Sequence, residues 1–286
     1  MSQNSVISDH AFDFKLVFES YGVRVKLEAS SKELLEKASE AAESALLGRL
    51  EIIENVNAEH SFGFSLDDDG ETLFLHENGE RITSDTSVKR FFRFFDGLLR
   101  IKVAEFTRDR VFIHAGVVGW KGRAIVIPAN SFRGKTSLVA ELVRNGAEYY
   151  SDEYAVLDEN GLVHSFPRFL AIRYFDGELR EKLVNPSSLG GRVGRVEIPI
   201  GLVLLTEYEA DAVWNPQTLT AGQGIIEMIP HTIPRRANTK FALNVLNTSV
   251  SDAIILKSPR GEASDFAVEI LSYFDNYISL ARTFRG

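Results

Sequence analysis

The chain has 286 residues, enough for one large domain or two of ordinary size. With 44% hydrophobic and 25% charged residues it has an ordinary globular composition, and a formal net charge of -8 argues against broad affinity for nucleic acid or anionic membrane. Cysteine is absent, which excludes disulfides, thiolate zinc sites, cysteine-held iron–sulfur clusters and a cysteine nucleophile.

Residues 1–9 are polar and lack the basic segment followed by an apolar run that marks a signal peptide. The most continuous apolar stretch, residues 198–205, contains Pro199 and is too short to cross a bilayer. The expectation is a soluble cytoplasmic protein.

Alternation of apolar and polar residues over 12–28, on both sides of Tyr21-Gly22, predicts a β-hairpin. Ser30 and Glu33 have capping-box spacing, ahead of an amphipathic helix on Leu34, Leu35, Ala38, Ala41, Ala42, Ala45 and Leu46 that stops near Gly48. Two strands follow at 61–66 and 72–76, with turns at 67–70 and at Asn78-Gly79. The acidic run Asp67-Asp68-Asp69-Gly70 reads as a turn, because its glycine comes too soon for a calcium loop. Asp85 is expected to cap a helix with Val88, Phe91, Phe92, Phe95, Leu98 and Leu99 on its inner face, packed against the sheet of a following domain. That places a boundary near Arg108-Asp109-Arg110 and divides the chain into an N-terminal α+β domain, 1–108, and a second domain, 109–286.

From residue 111 the texture changes. Strands are predicted at 111–120 and 123–128, joined by a tight turn at Lys121-Gly122. A helix over 136–145 ends at Gly146. Strands follow at 148–157 and 162–166, then an apolar strand at 200–206. The chain closes with a short strand at 253–257 and a capped helix from Asp265 to about Ala281.

Between the strand ending at Pro128 and the helix stands Ala129-Asn130-Ser131-Phe132-Arg133-Gly134-Lys135-Thr136-Ser137. A triphosphate carries about four negative charges and needs many donors close together. A strand that turns sharply into a helix supplies backbone N–H groups as a nest, together with the positive end of the helix dipole. Lys135 would reach the β- and γ-phosphates, and the Thr136 hydroxyl would hold Mg²⁺. Residues 129–137 therefore read as a phosphate-binding loop for a nucleoside triphosphate, with Arg133 as an additional phosphate contact. Ala129 stands where the first glycine of such loops stands. Alanine at positive φ costs on the order of 1 kcal/mol, so a distorted turn is expected there.

Four stretches carry a resemblance to the catalytic domain of HPr kinase/phosphorylase and its HPr-kinase-like relatives. They are Ile113-His114-Ala115-Gly116-Val117-Val118, the loop itself, Tyr150-Ser151-Asp152-Glu153, and Ile233-Pro234-Arg235-Arg236. The resemblance covers about half the chain, and the second acid of the family's pair is Glu153 here. It implies an α/β fold with a P-loop kinase core of the HPr-kinase/PEP-carboxykinase-like type, mainly β-sheet with flanking helices, beside the smaller α+β N-terminal domain.

It also implies ATP- and Mg²⁺-dependent phosphoryl transfer to a hydroxyl, on Ser or Thr of a protein or peptide or on a small molecule. Asp152 would be the base, assisted by His114 and Lys135. Thr136, Asp152 and Glu153 would lie at the metal, and Arg235 and Arg236 at the transferring phosphate. Other readings stay open: hydrolysis of the nucleotide without a dedicated acceptor, and a non-catalytic nucleotide sensor or scaffold. His114 is alternatively a buried structural histidine, and the two arginines a solvated loop. The basic, glycine-rich run 189–195 is read as a lid or substrate clamp, or as a simple connection. Glu207, Glu209 and Asp211 are expected on a solvated turn.

Overall fold

The computed structural model describes residues 12–129, 134–233 and 239–283. The chain is a mixed α/β protein in two compact units, 12–109 and, among the described residues, 110–233 with 239–283.

The first unit runs β1 (Phe14–Ser20), β2 (Val23–Ala29), α1 (Lys32–Leu46), β3 (Glu51–Ile52), β4 (His60–Leu66), β5 (Leu73–Glu77), β6 (Glu80–Asp85) and α2 (Val88–Phe106). Its sheet has the order β3-β1-β2-β4-β5-β6. Tyr21 and Gly22, at φ 49 and 73, give the β1–β2 turn the twist that hairpins favour. β2 and β4 are parallel, and α1 lies in the connection between them.

The cap of α1 is Ser31 rather than Ser30: its side chain accepts from the Leu34 N–H, while Glu33 turns outward to Lys37 at 2.7 Å. The cap of α2 is likewise Ser87, because Asp85 ends β6 and binds the Ser87 N–H and Arg90 instead. Asp67 accepts from the Glu71 and Thr72 N–H groups, so that carboxylate closes its own turn.

The aromatic stripe of α2 is core, but it packs on the unit's own sheet: Phe95 meets Phe62 and Phe64 edge-on at 5.4 and 4.9 Å between ring centres. Periodicity shows that a face is buried, not what buries it. Val88, at one end of the stripe, is exposed. Phe95 is fully buried, so Phe95→Ala is expected to cost about 3–5 kcal/mol. Urea unfolding followed by circular dichroism measures this; an unmoved midpoint would show that the stripe is not core.

The second unit runs β7 (Val111–Trp120), β8 (Arg123–Pro128), α3 (Lys135–Arg144), β9 (Glu148–Ser151), β10 (Tyr154–Leu157), β11 (Leu162–His164), β12 (Leu170–Phe175), β13 (Leu179–Val184), β14 (Ile198–Leu205), β15 (Gln217–Leu219), α4 (Ala221–Met228), α5 (Thr239–Val250), β16 (Ile254–Lys257) and α6 (Ala263–Thr283). Along the main sheet the order is β11-β10-β7-β8-β14-β16-β15. β11 also pairs with β14, so β7, β8, β14, β11 and β10 close into a ring of strands. β8, β14 and β16 run parallel.

Side chains alternate across this sheet as a period of two requires. Val118, Ile125 and Ile127 enter the core formed with α3 and α6, while Val117, Ala124 and Val126 enter the one shared with α5. Cover on both faces explains why these strands read as nearly continuous apolar runs.

Two features bear on the site. β7 is ten residues long and carries β10 and β9 in turn along one edge, with β8 on the other. The single strand expected at 148–157 is therefore two, and the break falls at Asp152-Glu153.

Candidate functional site around the turn from β8 to α3

β8 delivers Pro128 and Ala129 to the edge of the sheet, and α3 begins six residues later at Lys135. Ala129 is buried, and its N–H donates to the His114 carbonyl at 3.2 Å, extending the β7–β8 ladder. It is not among the positive-φ residues, so the strain expected of alanine there is absent. In the described part of the loop, positive φ falls on Gly134, at 74°. Its carbonyl accepts from the Leu138 N–H and from Nη2 of Arg260, the latter at 2.8 Å. Arg260 is buried and also donates to the Gly261 carbonyl, which fixes the guanidinium against the loop. Asn130, Ser131, Phe132, Arg133, Arg235 and Arg236 lie outside the described residues.

Lys135 is only 8% exposed. Its stem crosses β7 over Gly116, where any Cβ would collide with Val139 and crowd the lysine. Gly116→Val is expected to cost about 1–3 kcal/mol by overpacking and to displace Lys135. Thermal unfolding and nucleotide titration of that variant check this, and unchanged values in both would contradict it.

The Lys135 Nζ lies 2.9 Å from Nδ1 of His114, and that same nitrogen lies 3.0 Å from the Glu153 carbonyl. A carbonyl only accepts and an ammonium only donates, so Nδ1 can serve one of them at a time. Burial lowers the Lys135 pKa to about 8, against the opposing pull of Asp152.

Asp152 sits in the break between β9 and β10. Ser151 makes that break: its buried hydroxyl oxygen accepts from the N–H groups of Glu153 and Tyr154, both at 3.0 Å. The two acids are thereby released from the alternation that would point them to opposite faces. Burial raises the Asp152 pKa, while Lys135 and hydrogen bonds from Thr136 and Tyr149 pull it down. The Tyr149 hydroxyl is 3.3 Å from Asp152 Oδ1 and 2.7 Å from the Arg168 carbonyl. The Glu153 carboxylate lies 3.5 Å from Arg168 Nε.

His114, Lys135, Thr136 and Asp152 thus form one cluster, from three separate segments. Ser137 is exposed on the first turn of α3. Tyr149 and Arg260 carry no sequence signal, and Ser151 and Gly116 stand inside the matched stretches with no role that the sequence assigns. A serine just before an acid at a strand end was the available signal for Ser151. Arg260 follows β16 in a loop and carries no motif.

The run 189–195 is tied down rather than free. The Arg192 carbonyl accepts from Tyr149 N–H at 2.8 Å, and Gly194 N–H donates to the Tyr149 carbonyl at 2.9 Å. Gly191 and Gly194 lie where a Cβ would strike Val143 and Tyr150. That is a connection packed on β9. Glu207 and Glu209 are exposed as expected, but they line a cavity of about 1040 Å³ that begins at Pro128 and Ala129.

Among the described residues no group of three or more His, Asp or Glu side chains is spaced to hold a metal, and no helix is long and apolar enough to cross a membrane. No family model matches this chain, and no curated protein matches it.

Proposed function

We propose that the protein is an ATP- and Mg²⁺-dependent phosphotransferase of the HPr-kinase-like type, acting on a hydroxyl acceptor. The observation that carries this reading is the buried Lys135 at the start of α3 facing the half-buried Asp152, whose charges act on each other, with the Thr136 hydroxyl bonded to the same carboxylate. A mere strand–helix turn has no use for a buried ammonium at its tip facing a half-buried carboxylate, because taking such charges out of water is costly.

Phosphoryl transfer requires in-line positioning and neutralisation of charge rather than covalent chemistry by the protein. Lys135 would bind the β- and γ-phosphates. Asp152 would take the proton from the acceptor hydroxyl as its oxygen bonds to the γ-phosphorus and the bridging oxygen leaves with ADP. Burial raises the pKa of Asp152, which makes it a stronger base than an ordinary aspartate. His114, on Nδ1, would receive or release Lys135 according to whether phosphate is present.

The oxygen donors suit magnesium, which binds through one or two protein oxygens and keeps phosphates and water as its other ligands. Thr136 and Asp152 would hold it, with Glu153 beside them, and the ion would neutralise charge on the transferring phosphate. A cytoplasmic setting supplies both ATP and Mg²⁺.

The test is incubation with γ-labelled ATP, Mg²⁺ and candidate protein, peptide and small-molecule acceptors. Label on an acceptor supports transfer. Free phosphate alone points to hydrolysis, and binding without turnover to a sensor or scaffold.

A further inference from the structure

The transfer chemistry leaves one buried cation unused. Arg260 follows β16, is 3% exposed, and ends against the phosphate loop rather than in solvent. Its Nη2 donates to the Gly134 carbonyl at 2.8 Å and its Nη1 to the Gly261 carbonyl at 2.9 Å. The guanidinium also lies 5.7 Å from the ring centre of Tyr208, whose hydroxyl donates to Glu262 at 2.8 Å. The backbone of Arg260 is stitched in as well. Its N–H donates to the Glu207 carbonyl and its carbonyl accepts from the Glu209 N–H, each at 2.9 Å.

Gly134 is shaped to receive this group. A Cβ there would collide with Nη2, so the missing side chain is what lets the guanidinium reach the backbone. A structural brace at this position needs no charge, however. Taking a guanidinium out of water is costly, and a neutral amide also donates to carbonyls. The charge acts elsewhere, and the peptide it grips shows where.

In a trans peptide the C=O and the N–H point in opposite directions. The Gly134 carbonyl faces Arg260 and the Leu138 N–H, the latter at 3.2 Å. The N–H of the same peptide belongs to Lys135, the first residue of α3. It points out of the end of the helix, where N–H groups have no partner within the helix and serve an anion. A charged donor on the carbonyl polarises the peptide and makes the N–H on its far side a stronger donor.

We propose that Arg260 is a positioning residue for phosphate: through the Gly134–Lys135 peptide it orients and strengthens the Lys135 backbone N–H that donates to the bound anion. The proposal rests on the phosphate-loop reading, and adds to it a cation from 126 residues farther along the chain.

Titration calorimetry of the full chain with Mg²⁺ and ATP tests it, on the wild type, Arg260→Gln and Arg260→Lys, with circular dichroism reporting the fold of each. Glutamine keeps a donor but loses the charge, and affinity is expected to fall about 10-fold. Lysine keeps the charge and an N–H donor, so its affinity should stay within about 3-fold of the wild type. Damage to the fold alone would not sort the variants by charge. A folded Arg260→Gln that binds as the wild type does, or an Arg260→Lys as weak as the glutamine variant, overturns the assignment and leaves the loop standing. If Arg260→Gln does not fold, the wild type decides. Coupling through a peptide is reciprocal, so ATP should move the Arg260 Nη–H signals downfield in the NMR spectrum of protein carrying isotope-labelled arginine. Signals that stay in place overturn the proposal. If the wild type does not bind ATP, the phosphate-loop reading itself fails and takes this assignment with it.

Discussion

Lys135→Ala is expected to weaken ATP binding by about 100-fold or more. Two charge-assisted hydrogen bonds to phosphate contribute about 1.5–3 kcal/mol each, and 1.4 kcal/mol is a factor of ten. The effect has a pH signature that simple loss of packing lacks. In the free protein Lys135 titrates at about 8 because it is buried, and bound phosphates raise that value by favouring the charged form. Above pH 8 the free protein has lost a proton that the complex retains, so binding must take one up. Wild-type affinity should therefore hold steady below pH 8 and fall above it, by up to tenfold per pH unit, whereas Lys135→Ala should be flat over the same range. The sign for stability is the reverse. The unfolded chain holds the Lys135 proton up to the ordinary lysine value of 10.5, so burial penalises the fold fully below pH 8 and the penalty lifts as pH rises towards 10.5. An affinity for ATP unchanged by Lys135→Ala would remove the phosphate-binding reading at its base.

What was legible in the sequence follows from how local its cause is. The pair β7–β8 reads to the residue, because both strands are apolar runs and Lys121-Gly122, at φ 49 and 78, is a two-residue turn that needs left-handed backbone. The hairpin β12–β13 was missed: it pairs only with itself and carries exposed, charged positions that give no alternating pattern. Helix α4 gives no helical pattern in the sequence although Thr220 and Gln223 form a complete capping box, because Gly222 and Gly224 lower its helix propensity. Gly224 is there because Ile255 occupies the space a Cβ would need.

The site divides in the same way. The loop declares itself through contiguous residues. The nearness of His114 to Lys135, and of Lys135 to Asp152, depends on β9 and β10 sharing one edge of β7, a pairing that no local pattern announces. The family resemblance suggested that these residues belong together. The break that frees Asp152 from the strand depends on one hydroxyl, that of Ser151.

Asp152→Asn separates that chemistry from binding. Asparagine keeps the size and hydrogen-bonding capacity of the side chain but cannot accept a proton at neutral pH, so transfer should fall by about 10²–10⁴. ATP affinity near pH 7, titrated without Mg²⁺, should not fall with it, because the substitution removes a negative charge from beside the phosphates. Asp152 also raises the pKa of Lys135. Without that carboxylate, Lys135 should lose its proton more easily, and the pH at which ATP affinity begins to drop should move below 8. In the wild type, transfer should decline as acid protonates Asp152, at a pH above that of an ordinary aspartate because burial raises its pKa. Single-turnover rates and ATP titrations on one preparation, each across pH, read all of this together. Full-rate transfer by Asp152→Asn would end its assignment as the base. Loss of binding in step with rate would make it a structural partner of Lys135, and the proton would have to be taken by another group.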